Sequence, residues 1–295
     1  MSDAREPAVS GRRSERRGSA SDAREPAVSG RRSERRGSAR GRATVIQLGT
    51  AAVALGAWEA IGRSAVVPNN VLPPMSAVVW SLVRLLGSPT IWFDFEVTAW
   101  EIGLGLLVGM GAGLVLGVVV GVRDAAWRTV EPLLYYLGAL PKIILLPVLV
   151  LFLGAGVFSK VGMAALSAVF PVIVTTAVGV REVREIHVRA ARTLGAGFPQ
   201  IVLKVFLPAT IGPVLAGVRL GLGVAVVGAL LAETSVASAG IGFRAMSYYA
   251  TLQIQDMYAL LLVVFLAAVA LNALLGSLLR QVTRHAQAAP TEVVF

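Results

Sequence analysis

The chain has 295 residues, of which 56% are hydrophobic and 15% charged, with a mean hydropathy of +0.73 and a formal net charge of +10. Soluble domains carry about a quarter charged residues, which excludes a water-soluble globule as the frame for most of this sequence. Cysteine is absent, which excludes a disulfide framework, a thiolate metal site and a cysteine nucleophile.

Residues 2–20 recur unchanged as 21–39, and the first 42 residues hold twelve arginines against six acids. A segment so poor in large apolar side chains cannot bury a core, so residues 1–42 are expected to form a disordered, Arg-rich cytoplasmic tail. It has no interleaved aromatics to stack on bases, and no nucleic-acid partner is expected. Six apolar spans follow, at about 43–62, 97–121, 133–153, 157–179, 211–233 and 257–279. Each is close to the ~20 residues that a helix needs to cross a bilayer. Lipid leaves no backbone group unsatisfied, so spans of this length are expected to be helices. Residues 43–96 then comprise the first span and an outer segment. In that segment Ser76 to Leu86 reads as a short helix, with Ser76 as N-cap and Val79, Leu82, Val83 and Leu86 on one face.

Span two carries Gly105, Gly109, Gly113, Gly117 and Gly121, and span five carries Gly217, Gly221, Ala225 and Ala229, with Glu233 next in the series. Small residues at this spacing let helices approach closely, and both stripes read as packing surfaces. A four-residue step overshoots one turn by about 40°, so each stripe winds around its helix. Charged groups in apolar spans face a cavity or a partner, which makes Glu233 and Arg219 candidates for a substrate path. Glu59 and Glu101 sit near outer span ends and are expected to be hydrated there. Excluding Lys142 and Arg219, which lie in or beside spans, 21 Lys and Arg fall on one side of this topology and four on the other. That bias places both termini in the cytoplasm of a multi-pass plasma-membrane protein.

Between spans four and five lies a basic segment, Arg189-Ala190-Ala191-Arg192-Thr193-Leu194-Gly195-Ala196, followed by Val205-Phe206-Leu207-Pro208. Written as x-Ala-Ala-x3-Gly-x9-Val-x-Leu-Pro, it resembles the EAA loop of ABC-importer permeases. Arg189 stands where that loop has Glu, and Val205 where it has Ile. Further blocks, including Ala139-Leu140-Pro141-Lys142, Phe152-Leu153-Gly154-Ala155-Gly156 and Gly240-Ile241-Gly242, extend the resemblance over residues 97–280. Within the family the chain most resembles the nitrate/sulfonate/taurine branch.

The resemblance implies an all-α, six-helix type I importer fold with a cytoplasmic coupling helix between helices four and five, and a cytoplasmic C-terminal tail over 281–295. It implies two ATPase subunits, which bind the ATP, and an extracytoplasmic solute-binding protein. Six spans are expected to make half of a pore, completed by a second copy of this chain in a homodimer or, alternatively, by a separate permease in a heterodimer. Arg189, Ala190, Ala191, Leu194, Gly195, Ala196 and Pro208 would form the coupling loop. The chain itself has no Gly-x4-Gly-Lys-Ser/Thr phosphate loop. Its two histidines, His187 and His285, lie in basic segments far apart, so neither a metal site nor a catalytic triad is expected. The competing class is a secondary transporter driven by an ion gradient.

Overall fold

The structure, a computed structural model, describes residues 29–64, 67–68 and 71–288, and among these every regular element is helical. The chain divides into two units between Leu55 and Gly56, and helix α1 (Ser29–Arg63) crosses the division. Of the expected disordered tail, residues 1–28 lie outside the described residues, whereas the part from Ser29 is helical. Ala, Arg and Glu are strong helix formers, and extending an existing helix needs no new nucleus.

The end of α1 sets the start of α2 (Met75–Leu86). Glu59 accepts hydrogen bonds from the backbone N–H and the hydroxyl of Ser76, both at 2.9 Å, and is paired with Arg63. Ser76 is therefore not the N-cap. It lies in the first turn after Pro74, and a carboxylate from another helix satisfies its N–H. The buried face of α2 also differs from expectation: it is Val78, Ser81 and Leu85, while Val79, Val83 and Leu86 are exposed. Both faces of this helix are apolar, so periodicity does not choose between them. Contact with Ile91, Ile241, Ala259 and Leu260 does.

The long helix α3 (Pro89–Gly121) leads to α4 (Asp124–Ala139). A 3₁₀ turn (Lys142–Leu145) then runs into α5 (Leu146–Leu153). Sequence suggests one span over 133–153, but α4 and the segment Lys142–Leu153 meet at 90°. Leu140, at φ −63° and ψ 139°, takes the extended conformation that a following proline favours. Lys142 donates to the Gly138 carbonyl at 2.7 Å and lies 5.2 Å from the Phe170 ring centroid. The described residues thus contain five unbroken helices able to cross a membrane, and six crossings if the bent pair is one span.

The chain continues through α6 (Val157–Arg181), α7 (Glu185–Thr193), α8 (Phe198–Ile201), α9 (Leu207–Val236), α10 (Ile241–Ala250) and α11 (Ile254–Ala288). Between α8 and α9 lies one π-helical turn, Val202–Phe206, closed by the Leu207 N–H to the Val202 carbonyl. Pro208 has no N–H to return to the preceding turn, and that turn widens around the gap. The expected C-terminal tail is helical to Ala288, and residues 289–295 lie outside the described residues.

Helix α6 is the centre of the bundle, with α3 parallel to it and α9 antiparallel on an adjoining face, the three helices touching one another. The five glycines of α3 meet α6 in step. A Cβ at Gly105 would stand 2.4 Å from that of Ala164, one at Gly109 2.9 Å from Ala168, and one at Gly113 2.7 Å from Val172. The ladder continues through Gly117 with Thr176 and Gly121 with Val180. Two four-residue ladders are therefore apposed, and α6 follows the winding of the stripe along the whole length of α3. Gly217 and Gly221 of α9 fit against the same Val172 and Ala168, with Ala225 and Ala229 fully buried further along α9.

A matched pair of substitutions tests this packing. Gly109→Val forces a side chain to within 2.7 Å of the Ala165 carbonyl. It should destabilise the purified protein by about 1–3 kcal/mol, read as a lower thermal transition in detergent. Gly111→Ala meets nothing within 4 Å and should leave the transition unchanged or raised.

Candidate functional site

Two sites are built at opposite ends of the bundle. The first surrounds α7. Glu185 occupies its first turn, and Arg189 pairs with Glu185 one turn earlier. This is the favourable orientation for an ion pair at that spacing. Arg189 is therefore already engaged within its own helix. After Leu194 the chain closes in a Schellman cap. The Ala196 N–H bonds to the Ala191 carbonyl at 3.0 Å, and the Gly195 N–H to the Arg192 carbonyl at 2.9 Å. Gly195 takes φ +79°, a left-handed conformation that favours glycine.

The two faces of this unit differ. Val188, Ala191 and Ala196 turn inward onto Val180, Ile201 and Phe206, whereas Ile186, Leu194 and Phe198 point outward, Leu194 being 87% exposed. Ala190 is exposed, and Pro208 lies in the first turn of α9 beside the π turn. A cavity of about 400 Å³ opens between α7 and the ends of α3 and α6, lined by Val122, Arg181, Val188, Arg189, Ile201 and Phe206 among others.

The second site lies where α3 and α6 begin and α9 ends. The glycine stripe of α3, followed back by helical spacing, runs through Glu101, Thr98 and Asp94, all buried. The stripe of α9, followed forward, ends at Glu233. These residues converge on the start of α10, whose first N–H groups have no partner within their own helix. Gly240 N–H donates to Asp94 Oδ1 at 3.0 Å, Ile241 N–H to Thr98 Oγ1 at 2.9 Å, and Gly242 N–H to Glu233 Oε2 at 2.6 Å. The Thr98 hydroxyl donates to Glu233 Oε1 at 2.6 Å, and Arg244 Nε to Asp94 Oδ2 at 2.6 Å. Negative groups also suit the positive end of the α10 dipole. Behind them Lys160 Nζ stands 3.9 Å from Glu101 Oε1 and donates to the Ala155 carbonyl at 3.3 Å.

Glu101 is 0% exposed, so the expected hydrated interfacial role does not hold for it. Lys160 is likewise buried rather than on an outer surface. Their helices are covered on those faces by α6, α9 and α10, a tertiary fact that hydropathy does not contain. Glu59 is closer to expectation, being partly exposed and capping α2.

Glu233 joins the cluster and lines neither described cavity. Arg219 does not join it. It is exposed on α9 and donates to Asn272 Oδ1 of α11 at 2.9 Å. A second cavity, of about 670 Å³, lies between α3, α9 and α11 and is apolar, with Phe95, Ile102, Leu222, Val264 and Leu271 around the single hydroxyl of Thr98. Asp94, Thr98, Lys160 and Arg244 were not singled out from sequence. The available signal was the glycine stripe itself, continued toward its N-terminal end.

The geometry is that of a helical membrane bundle with a capped loop helix at one end and a polar clamp at the other. Over residues 105–287 the chain matches the family described as binding-protein-dependent transport system inner membrane component. The chain belongs to this family. It is a permease component of an ABC importer and not an enzyme, and it is a multi-pass membrane protein.

A Bacillus subtilis protein named for aliphatic-sulfonate transport, SsuC, is 33% identical over 195 residues, covering 66% of this chain and 71% of that one. The taurine transport system permease protein TauC of Escherichia coli is 28% identical over 247 residues, covering 82% of this chain and 90% of that one. These relatives agree with the branch that the blocks over residues 97–280 resemble. Among solved structures, an inward-facing conformation of the MetNI methionine ABC transporter matches with a TM-score of 0.52 and 21% identity. The match covers 71% of this chain and 97% of that one, and it shows the type I importer fold.

The clamp is expected to contribute to stability. Asp94→Ala leaves the Gly240 N–H without its acceptor and Arg244 without its carboxylate, at a cost of about 3 kcal/mol. Its thermal transition in detergent should fall well below that of the wild type, with Asp94→Asn in between.

Proposed function

We propose that α7 and its glycine cap are the surface on which a nucleotide-binding partner docks, and that ATP-driven closure of two partners rocks two copies of this permease around a shared path. The observation that carries this reading is the two-faced loop helix. Its inner face is fixed to the bundle through Val188, Ala191 and Ala196, while Leu194, Ile186 and Phe198 present an apolar surface outward. A helix rigidly based and apolar at its tip suits a cleft on a partner. The Arg189–Glu185 pair lowers the charge that Arg189 would otherwise bring to that contact.

In this reading both termini are cytoplasmic, in line with the distribution of Lys and Arg. An extracytoplasmic binding protein delivers the solute, and the clamp at the start of α10 lies on that side. The cargo class we favour is a small sulfonate-type anion, taurine among them, following the names of the relatives. Arg219 is our candidate for a path residue. Glu233 belongs to the clamp, since both of its oxygens are engaged. A gradient-driven mechanism is set aside because the chain belongs to a binding-protein-dependent family.

A mild-detergent pull-down from the native membrane tests the docking surface. Wild type should retain a nucleotide-binding subunit. Leu194→Asp, at an exposed position that leaves folding intact, should lower its recovery at least tenfold, and Gly195→Asp should do the same by straining the cap. Undiminished recovery with Leu194→Asp would remove α7 from this role.

A further inference from the structure

The clamp holds three acids, Asp94, Glu101 and Glu233, and two cations, Lys160 and Arg244. Asp94 is matched by Arg244, which leaves Lys160 to face two carboxyl groups. Glu233 uses both oxygens as acceptors, for Thr98 and for Gly242. Glu101 is fully buried, and neither of its oxygens receives a hydrogen bond from any protein group. The Lys160 ammonium, at 3.9 Å, is beyond hydrogen-bonding distance. Glu101 lies one turn along α3 from Thr98, on the same buried face, and the Thr98 hydroxyl binds Glu233, so the two carboxyl groups are neighbours. A buried carboxylate with no donor, beside a second carboxylate, is the costliest arrangement available to these residues. A carboxylic acid in the same place is neutral and supplies an O–H donor.

We propose that the Glu101–Glu233 pair binds one proton, held between the two carboxyl groups, so that the clamp carries equal numbers of negative and positive charges. Asp94 and Thr98 of α3, Lys160 of α6 and Arg244 of α10 are the polar groups gathered around the pair. Asp256 of α11 is committed to Arg84. Among the described residues no group of three acids, histidines or cysteines is placed to hold one metal ion. The inference rests on burial and charge balance, independently of which solute or partner the chain serves.

The test is infrared spectroscopy of the full-length protein in lipid vesicles at neutral pH, reading the C=O stretch of protonated carboxyl groups. Wild type should show one such band. Glu101→Gln and Glu233→Gln should each abolish it, because two acids then face two cations. Both keep an amide oxygen as acceptor, and an unchanged thermal transition would report that they fold. Lys160→Met leaves three acids against one cation and should raise the band about twofold. Absence of the band from wild type overturns the proposal, as does a band that survives in both glutamine variants. If neither glutamine variant inserts, Lys160→Met decides, and an unchanged band there also overturns it.

Discussion

The contact between α3 and α6 is the constraint on which the rest of the molecule depends. No side chain larger than hydrogen fits at Gly105, Gly109 or Gly113 without a shift of α6, so the two helices have one register and one separation. That register sets Glu101 beside Lys160. The adjoining face of α6, which shares Val172 and Ala168 and adds Ser167, receives the small residues of α9 and brings Glu233 to the same level. In a lipid-like setting, where apolar surface gains little from leaving the solvent, shape is what fixes such a bundle. The acids of the clamp are placed by glycines several turns away along the chain.

A second regularity is that short helices at this end of the bundle take their N-terminal acceptors from long ones. Glu59 of α1 serves Ser76 in the first turn of α2, and Asp94, Thr98 and Glu233 serve the first three N–H groups at α10. Neither short helix has a side-chain cap of its own. Each is therefore held in place by the helix that caps it. At the start of α10 the approach is so close that a Cβ on Gly240 would fall 2.6 Å from the Glu233 carboxyl carbon. The cap and the glycines form one unit.

Much of this was legible in the sequence, and the reasons for the exceptions are physical. The spans other than the third and the two small-residue stripes are local and periodic, and each lies within a helix that includes the residues expected. The break within the third span is not legible because hydropathy does not register the bend that Pro141 imposes on Leu140. The face of α2 was misjudged because both of its faces are apolar. Glu101 was read as hydrated since it lies near a span end, yet distance along a helix says nothing about what covers it. The α9 series was followed as far as Glu233. The matching step, carrying the α3 series back from Gly105 to Glu101, Thr98 and Asp94, would have placed the acids on facing surfaces.

The route from α7 to the clamp is mechanical. The inner face of α7 rests on Ile201 and Phe206, which lie at the foot of α9, and the far end of α9 carries Glu233. Thirty residues of helix make a rod of about 45 Å. Tilting such a rod by about 5° around its middle displaces each tip by about 2 Å, by the same geometry. Glu233 holds Thr98 and Gly242 at 2.6 Å, and no hydrogen bond tolerates a stretch of that size. In the proposed docking mode, an α9 that moved as one rod would be a lever whose short travel at the loop suffices to unfasten the opposite end.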